Sequence, residues 1–317
     1  MNILITGGLG YVGGRLAVYL KRTHPEINLY VTTRKPPLEK PPWAAELEIL
    51  QLNVVEEEAI KQCLENNIDV IVHLAALNEL VSFKAPEAAN EVNTMGTYKL
   101  LKHAKEKQIK KFIFFSTIHV YGAAESDLID ENTPTKPFHP YAITHLAAEN
   151  YARFFHRYHG VQTLILRLSN GYGYPMDKNV DRWTLVFNDL CRQAVTCGRM
   201  VIKSKGQYRD FISLHNVARA VEHFIFKRPN DWKDGLFNLG GDNCLSIAEV
   251  GEKIAEVYKS VFGKSVKIEI NKNEDDDRIS GRFRYSIDKL VSTGFELEEN
   301  MEEEIMKTLL LCKEFLI

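Results

Sequence analysis

Apolar residues follow two rhythms along the first half of the chain. Short unbroken runs, of which Ile3-Leu4-Ile5 is the first, predict buried strands at 2–6, 28–32, 48–52, 69–74, 111–116 and 162–168. Between them apolar positions recur three and four residues apart, as at Val12, Leu16, Ala17 and Leu20. That spacing predicts helices near 12–23, 56–66, 86–107 and 141–159. Strands alternating with helices argue a doubly wound parallel α/β sheet. The Pro-rich stretch Lys35-Pro36-Pro37 to Lys40-Pro41-Pro42 reads as an exposed loop after the second strand.

After about residue 172 the rhythm loosens. A helix fits near 181–197 and another at 246–261, while Asp210-Phe211-Ile212 and Phe237-Asn238-Leu239 look like returns toward the sheet. The expected organisation is a first domain over 1–172, with return segments near 210–240, and a smaller interleaved C-terminal lobe over 173–317. A ligand cleft between them, at the carboxyl ends of the parallel strands, follows from that architecture.

The loop after the first strand carries the strongest chemical signal. Gly7, Gly10 and Gly13 fall at Gly-x-x-Gly-x-x-Gly spacing between a strand and a helix, with Tyr11 and Val12 among them. Glycines there let the backbone approach a pyrophosphate, whose charge is favoured by free N–H groups and the helix dipole. The first domain is therefore expected to be a Rossmann-type dinucleotide-binding domain.

Composition narrows the remaining classes. The chain has 317 residues and a formal net charge of −2, so there is no basic footprint for nucleic acid. Cys63, Cys191, Cys197, Cys244 and Cys312 form no Cys-x-x-Cys pair, which argues against a disulfide framework or a metal site. No apolar run approaches a membrane span, and the first strand leaves no room for a signal peptide. A cytoplasmic protein is expected.

Further pieces line up in order. Ser116-Thr117 closes the strand Lys-Phe-Ile-Phe-Phe and precedes Ile118-His119-Val120-Tyr121-Gly122, and Tyr141 opens a helix just after Pro137-Phe138-His139-Pro140. His73-Leu74-Ala75-Ala76 follows the fourth strand; Asn93, Arg167-Leu168-Ser169-Asn170 and Arg209-Asp210-Phe211 come later. Together with the glycine loop these resemble the extended short-chain dehydrogenase/reductase superfamily, in its nucleotide-sugar epimerase/dehydratase branch. The likeness covers nearly the whole chain.

The resemblance implies a Ser or Thr, a Tyr and a Lys four residues after the Tyr as the catalytic set. Thr117 and Tyr141 match the first two, and His145 stands where the lysine is expected. A phenol has a pKa near ~10, so a base near neutrality needs it lowered at a cost of roughly 4 kcal/mol, much of which a fixed cation supplies. An imidazole is shorter and titrates near ~6.5. Three readings follow: His145 is a weaker or pH-gated substitute, another cation or the nicotinamide ring suffices, or the protein binds cofactor without turning it over.

The same likeness assigns Gly7, Gly10, Tyr11, Val12, Gly13, Leu74, Ala75, Ala76, Asn93, Tyr141 and His145 to the cofactor. Thr33 stands where NAD-dependent members carry an Asp, with Arg34 next to it, and Asn53 where an Asp often meets adenine. Loss of the carboxylate and the gain of Arg34 favour NADP over NAD. Asn170, Arg209 and Arg278 are expected to hold a nucleotide-diphosphate sugar, with His119 near it. Arg282 is expected to pair instead with the acidic run Glu274-Asp275-Asp276-Asp277.

The resemblance implies an Asp-Glu pair after the catalytic Thr in dehydratases; Ile118 and His119 stand there, which disfavours dehydration. The expected activity is hydride transfer at a sugar ring carbon, C4 by likeness, by an NAD(P)-dependent epimerase or oxidoreductase; a keto-sugar reductase or dehydrogenase without epimerisation is the alternative. A non-catalytic dinucleotide-binding regulator is the reading of another class. A homodimer is expected through the 86–107 and 141–159 helices, whose outward faces would include Leu100, Ala104, Leu146, Tyr151 and Phe155.

Overall fold

The computed structural model describes residues 1–123, 126–180, 182–203, 206–228, 231–270 and 281–316. Seven strands form the central sheet: β1 (Asn2–Thr6), β2 (Asn28–Thr33), β3 (Glu48–Gln51), β4 (Val70–His73), β5 (Lys111–Thr117), β6 (Gln162–Leu168) and β7 (Leu236–Leu239). All are parallel, in the order β3-β2-β1-β4-β5-β6-β7. The order reverses between β1 and β4, which opens a crevice at their carboxyl ends.

The alternation of side chains explains how both faces are filled. Ile3 and Ile5 point to one side, onto Leu16, Ala17 and Leu20 of the helix Tyr11–Thr23 and Val217 and Val221 of the helix Leu214–Glu222. Leu4 points to the other side, with Ile71, Phe112 and Phe114, and meets Leu100 and Leu101 of Thr97–Glu106 and Ala148 and Ala152 of Pro140–His159. A third core, around Phe187, Leu190, Phe211, Ile254 and Leu309, belongs to the C-terminal part.

Two returns toward the sheet are expected, and they part company. Leu236–Leu239 joins the central sheet beside β6, whereas Tyr208–Ser213 pairs with Asn170–Tyr172 and Cys244–Ser246 in a separate three-stranded sheet. The single helix expected over 86–107 is three pieces, with a π-helical stretch Asn90–Gly96 between Pro86–Ala89 and Thr97–Glu106. The wider turn brings Asn93 and Thr97 inward together, and the Thr97 hydroxyl donates to the Asn93 carbonyl at 2.6 Å.

The expected outward faces need correction. Leu100, Ala104 and Phe155 are buried beneath the sheet, and Leu146 and Tyr151 are half-buried. The apolar residues that Pro140–His159 does expose are Ile143, Phe154 and Tyr158. All five cysteines are free thiols, and no helix among the described residues is long and apolar enough to cross a membrane.

Candidate active site

A cavity of about 910 Å³ runs from the glycine loop across the carboxyl ends of β1, β4 and β5 to the C-terminal lobe. At its first end Gly7 has φ +67°, a left-handed conformation, and a Cβ on Gly13 would stand 2.4 Å from the Gly7 carbonyl oxygen. The helix Tyr11–Thr23 begins at Gly10 with no side-chain cap and no acid in its first turn. Its leading amides, at Tyr11, Val12 and Gly13, therefore present partial positive charge to the cavity, which suits a diphosphate. The Tyr11 side chain does something else: its hydroxyl donates to the Gly173 carbonyl at 2.7 Å and braces the far lobe. Next to it Arg15 reaches the Glu304 carboxylate (Nη1 to Oε2, 2.8 Å), a buried tie to the C-terminal helix.

The wall beyond β4 is set by side chains behind it. The Thr6 hydroxyl accepts from the amides of Leu74 and Ala75, at 3.1 and 3.2 Å, and fixes the Leu74-Ala75-Ala76 lining. His73 stands between Thr6 and Thr97, 2.7 and 3.0 Å away, and burial pulls its imidazole down to about 3. Asn93 does not line the cavity. Its Oδ1 accepts from the Leu77 amide at 2.7 Å and its Nδ2 donates to the Thr144 hydroxyl at 3.1 Å, so it joins this wall to the helix carrying Tyr141.

Beside the glycine loop, at the carboxyl end of the neighbouring strand β2, Thr33, Arg34 and Asn53 also line the cavity. Arg34 is exposed and its guanidinium has no carboxylate partner among the described residues. The Asn53 amide donates to Glu56 Oε1 at 2.6 Å.

Thr117, Tyr141 and His145 converge in the middle. Thr117 ends β5, and its hydroxyl accepts from the His119 amide at 3.2 Å and stands within hydrogen-bond reach of the Tyr141 phenol. Tyr141 is the second residue of Pro140–His159, whose start is capped by the His139 ring. Burial pushes the Tyr141 phenol well above its ordinary range, and the Glu79 carboxylate adds to the rise. The Arg182 charge and a hydrogen bond with Thr117 oppose it. His145 follows one turn on, its ring 4.2 Å from that of Tyr141. It is 2% exposed, and burial pulls it down to about 4 even though Glu149 and Glu79 favour its charged form. At neutral pH the lysine position therefore carries no charge.

A third residue on the same helix face, Glu149, is fully buried. Its carboxylate accepts from the Ser116 hydroxyl at 2.5 Å and from Arg167 Nε and Nη2 at 3.0 and 2.8 Å. Ser116 and Arg167 are register partners on β5 and β6, and the Arg167 guanidinium lies over the Tyr121 ring. The helix with Tyr141 is thus bolted to the strand with Thr117.

His119, Asn170 and Arg209 line the lobe end of the same cavity. Asn170 donates to the Asp210 carbonyl at 2.9 Å. Arg209 touches Gln207 (2.9 Å) and has no ion pair among the described residues; burial lowers it, and the field of Glu79 raises it. Burial also lowers the His119 imidazole. Arg278 and the run 274–277 lie outside the described residues. Arg282 pairs with Glu249 at 3.0 Å.

Three residues were missed by sequence reasoning: Glu79, Arg182 and Glu149. Glu79, on the loop-side turn of the helix Glu79–Lys84, and Arg182, from the other lobe, face each other across the cavity with Nη1 and Oε2 3.7 Å apart. Nothing in their local sequence marks either one. Glu149 had a legible signal, since it lies eight residues after Tyr141 on one helix face.

The chain is similar to known proteins over nearly its whole length. Residues 3–240 match the family model described as "NAD dependent epimerase/dehydratase family". The dTDP-D-glucose 4,6-dehydratase of Bos taurus is 27% identical over 323 residues, covering 97% of this chain and 87% of that one. The UDP-glucose 4-epimerase of Halalkalibacterium halodurans is 26% identical, covering 88% and 86%. Among solved structures, the Thermus thermophilus UDP-glucose 4-epimerase complex with NAD superposes with a TM-score of 0.82 at 22% identity, over 99% of this chain and all of that one.

Proposed function

The chain belongs to the NAD dependent epimerase/dehydratase family, and from that premise we propose that it is an NAD(P)-dependent nucleotide-sugar oxidoreductase or epimerase acting at a sugar ring carbon, C4. The observation that carries this reading is the convergence of Thr117 and Tyr141 in one cavity with an uncapped helix N-terminus at its far end. The dinucleotide, when bound, supplies or receives the hydride. Tyr141 moves the proton of the reacting oxygen, and Thr117 donates a hydrogen bond to that same oxygen. The amides around Gly10 hold the cofactor diphosphate, and Leu74, Ala75, Ala76 and His145 form the wall toward the nicotinamide.

Thr33 and Arg34 support NADP over NAD, because a planar guanidinium with no carboxylate partner among the described residues suits a 2′-phosphate. Arg209, also without an ion pair among the described residues, suits the diphosphate of a nucleotide sugar, and Asn170 and His119 face the sugar. Arg278 is proposed for the same diphosphate from its sequence context alone. The named relatives, a dTDP-D-glucose 4,6-dehydratase and a UDP-glucose 4-epimerase, support that substrate class. A homodimer through the exposed Ile143, Phe154 and Tyr158 completes the reading.

A regulator without catalysis is disfavoured because it has no need for a phenol held against a hydroxyl. Mass spectrometry of the small molecules released on denaturing the purified protein tests the assignment. NADP, NAD or a nucleotide sugar in the released fraction supports it; failure to bind added NADP or NAD at millimolar concentration contradicts it.

A further inference from the structure

His145 has a fixed polarity. Its Nδ1 lies 2.8 Å from the Tyr141 carbonyl oxygen. A carbonyl only accepts, so the proton sits on Nδ1 and Nε2 keeps a bare lone pair. Among the described residues nothing hydrogen-bonds Nε2, although the side chain is 2% exposed and its ring lines the cavity. Phe114 and Tyr141 flank the ring at 6.0 and 4.2 Å between centroids. A lysine here would point three donors and a charge at the ligand; this imidazole points one acceptor and no charge.

We propose that His145 meets the cofactor as a hydrogen-bond acceptor, taking a ribose hydroxyl on Nε2, where a lysine would bring donors and a charge. The inference rests on the nucleotide-sugar reading above.

The test uses the whole protein labelled with 15N in histidine, titrated from about pH 6 to pH 9 with and without NADPH or NADH. His145→Gln assigns the signal. Expected are a protonated Nδ1 and bare Nε2 throughout, and an Nε2 resonance that shifts when the dinucleotide binds. A protonated Nε2, or an Nε2 unmoved while other resonances shift, overturns the inference and leaves the broader reading standing. If no resonance moves with either dinucleotide, the cofactor reading itself falls.

Discussion

Arg167 grips Glu149 in a fork, Nε to Oε1 at 3.0 Å and Nη2 to Oε2 at 2.8 Å, with both side chains out of reach of water. The pair sits directly behind the reacting groups, because Ser116, which also bonds Glu149, precedes Thr117. Glu149→Gln leaves a buried guanidinium without its counter-charge and is expected to cost roughly 3–5 kcal/mol in denaturant unfolding. Replacing both, as Glu149→Leu with Arg167→Met, is expected to recover much of that stability. Turnover should stay depressed in the double variant, since the helix has lost its bolt to the strand.

Tyr141→Phe removes the proton carrier and little else. Turnover is expected to fall by roughly 10²–10⁴-fold with dinucleotide affinity unchanged, measured by stopped assays alongside calorimetric titration. An unchanged rate would assign the proton to another group.

His145→Lys places a cation one helix turn from the phenol and stabilises the phenolate. The alkaline rise of the oxidation rate should move to lower pH, and each unit of movement corresponds to about 1.4 kcal/mol. At pH 7 oxidation is expected to gain tenfold or more, read from the pH dependence of kcat/KM.

Acid should weaken the fold through its buried imidazoles. His73 and His145 are held at about 3 and about 4, below the ~6.5 of an unfolded chain. The unfolded state therefore binds more protons between those limits, so their contribution is intact above about pH 6.5. It is lost as pH falls toward 4, by at most about 1.4 kcal/mol per unit for each group. His73→Asn should flatten that slope in unfolding curves taken across the window.

Arg34→Gln tests the cofactor preference. If the guanidinium holds a 2′-phosphate, NADPH affinity should drop by roughly tenfold or more and NADH affinity should hardly change. Equal losses for both would mean that Arg34 only stacks on adenine.

Local signals carried the fold well. The first β-strand, the glycine spacing and the strand ending at Thr117 are short-range patterns, and each appears within about a residue of its expected place. Hydrophobic periodicity identified the apolar face with Leu100, Ala104 and Phe155 but could not say what covers it; the sheet does. Asn93 was assigned to the cofactor by likeness, yet a π-helical turn swings it behind the wall, a detail no spacing reveals. The Glu79–Arg182 pair joins residues from different lobes, so only the folded chain brings it into view.

Isotope transfer tests the central claim most directly. The protein would be incubated with NADPH or NADH deuterated at nicotinamide C4, in both stereochemical forms, together with UDP- and dTDP-linked 4-keto sugars. The account predicts that deuterium appears on a ring carbon of the nucleotide sugar, and that Tyr141→Phe abolishes the transfer. A protein that binds the labelled dinucleotide but passes no deuterium to any of these sugars would contradict it.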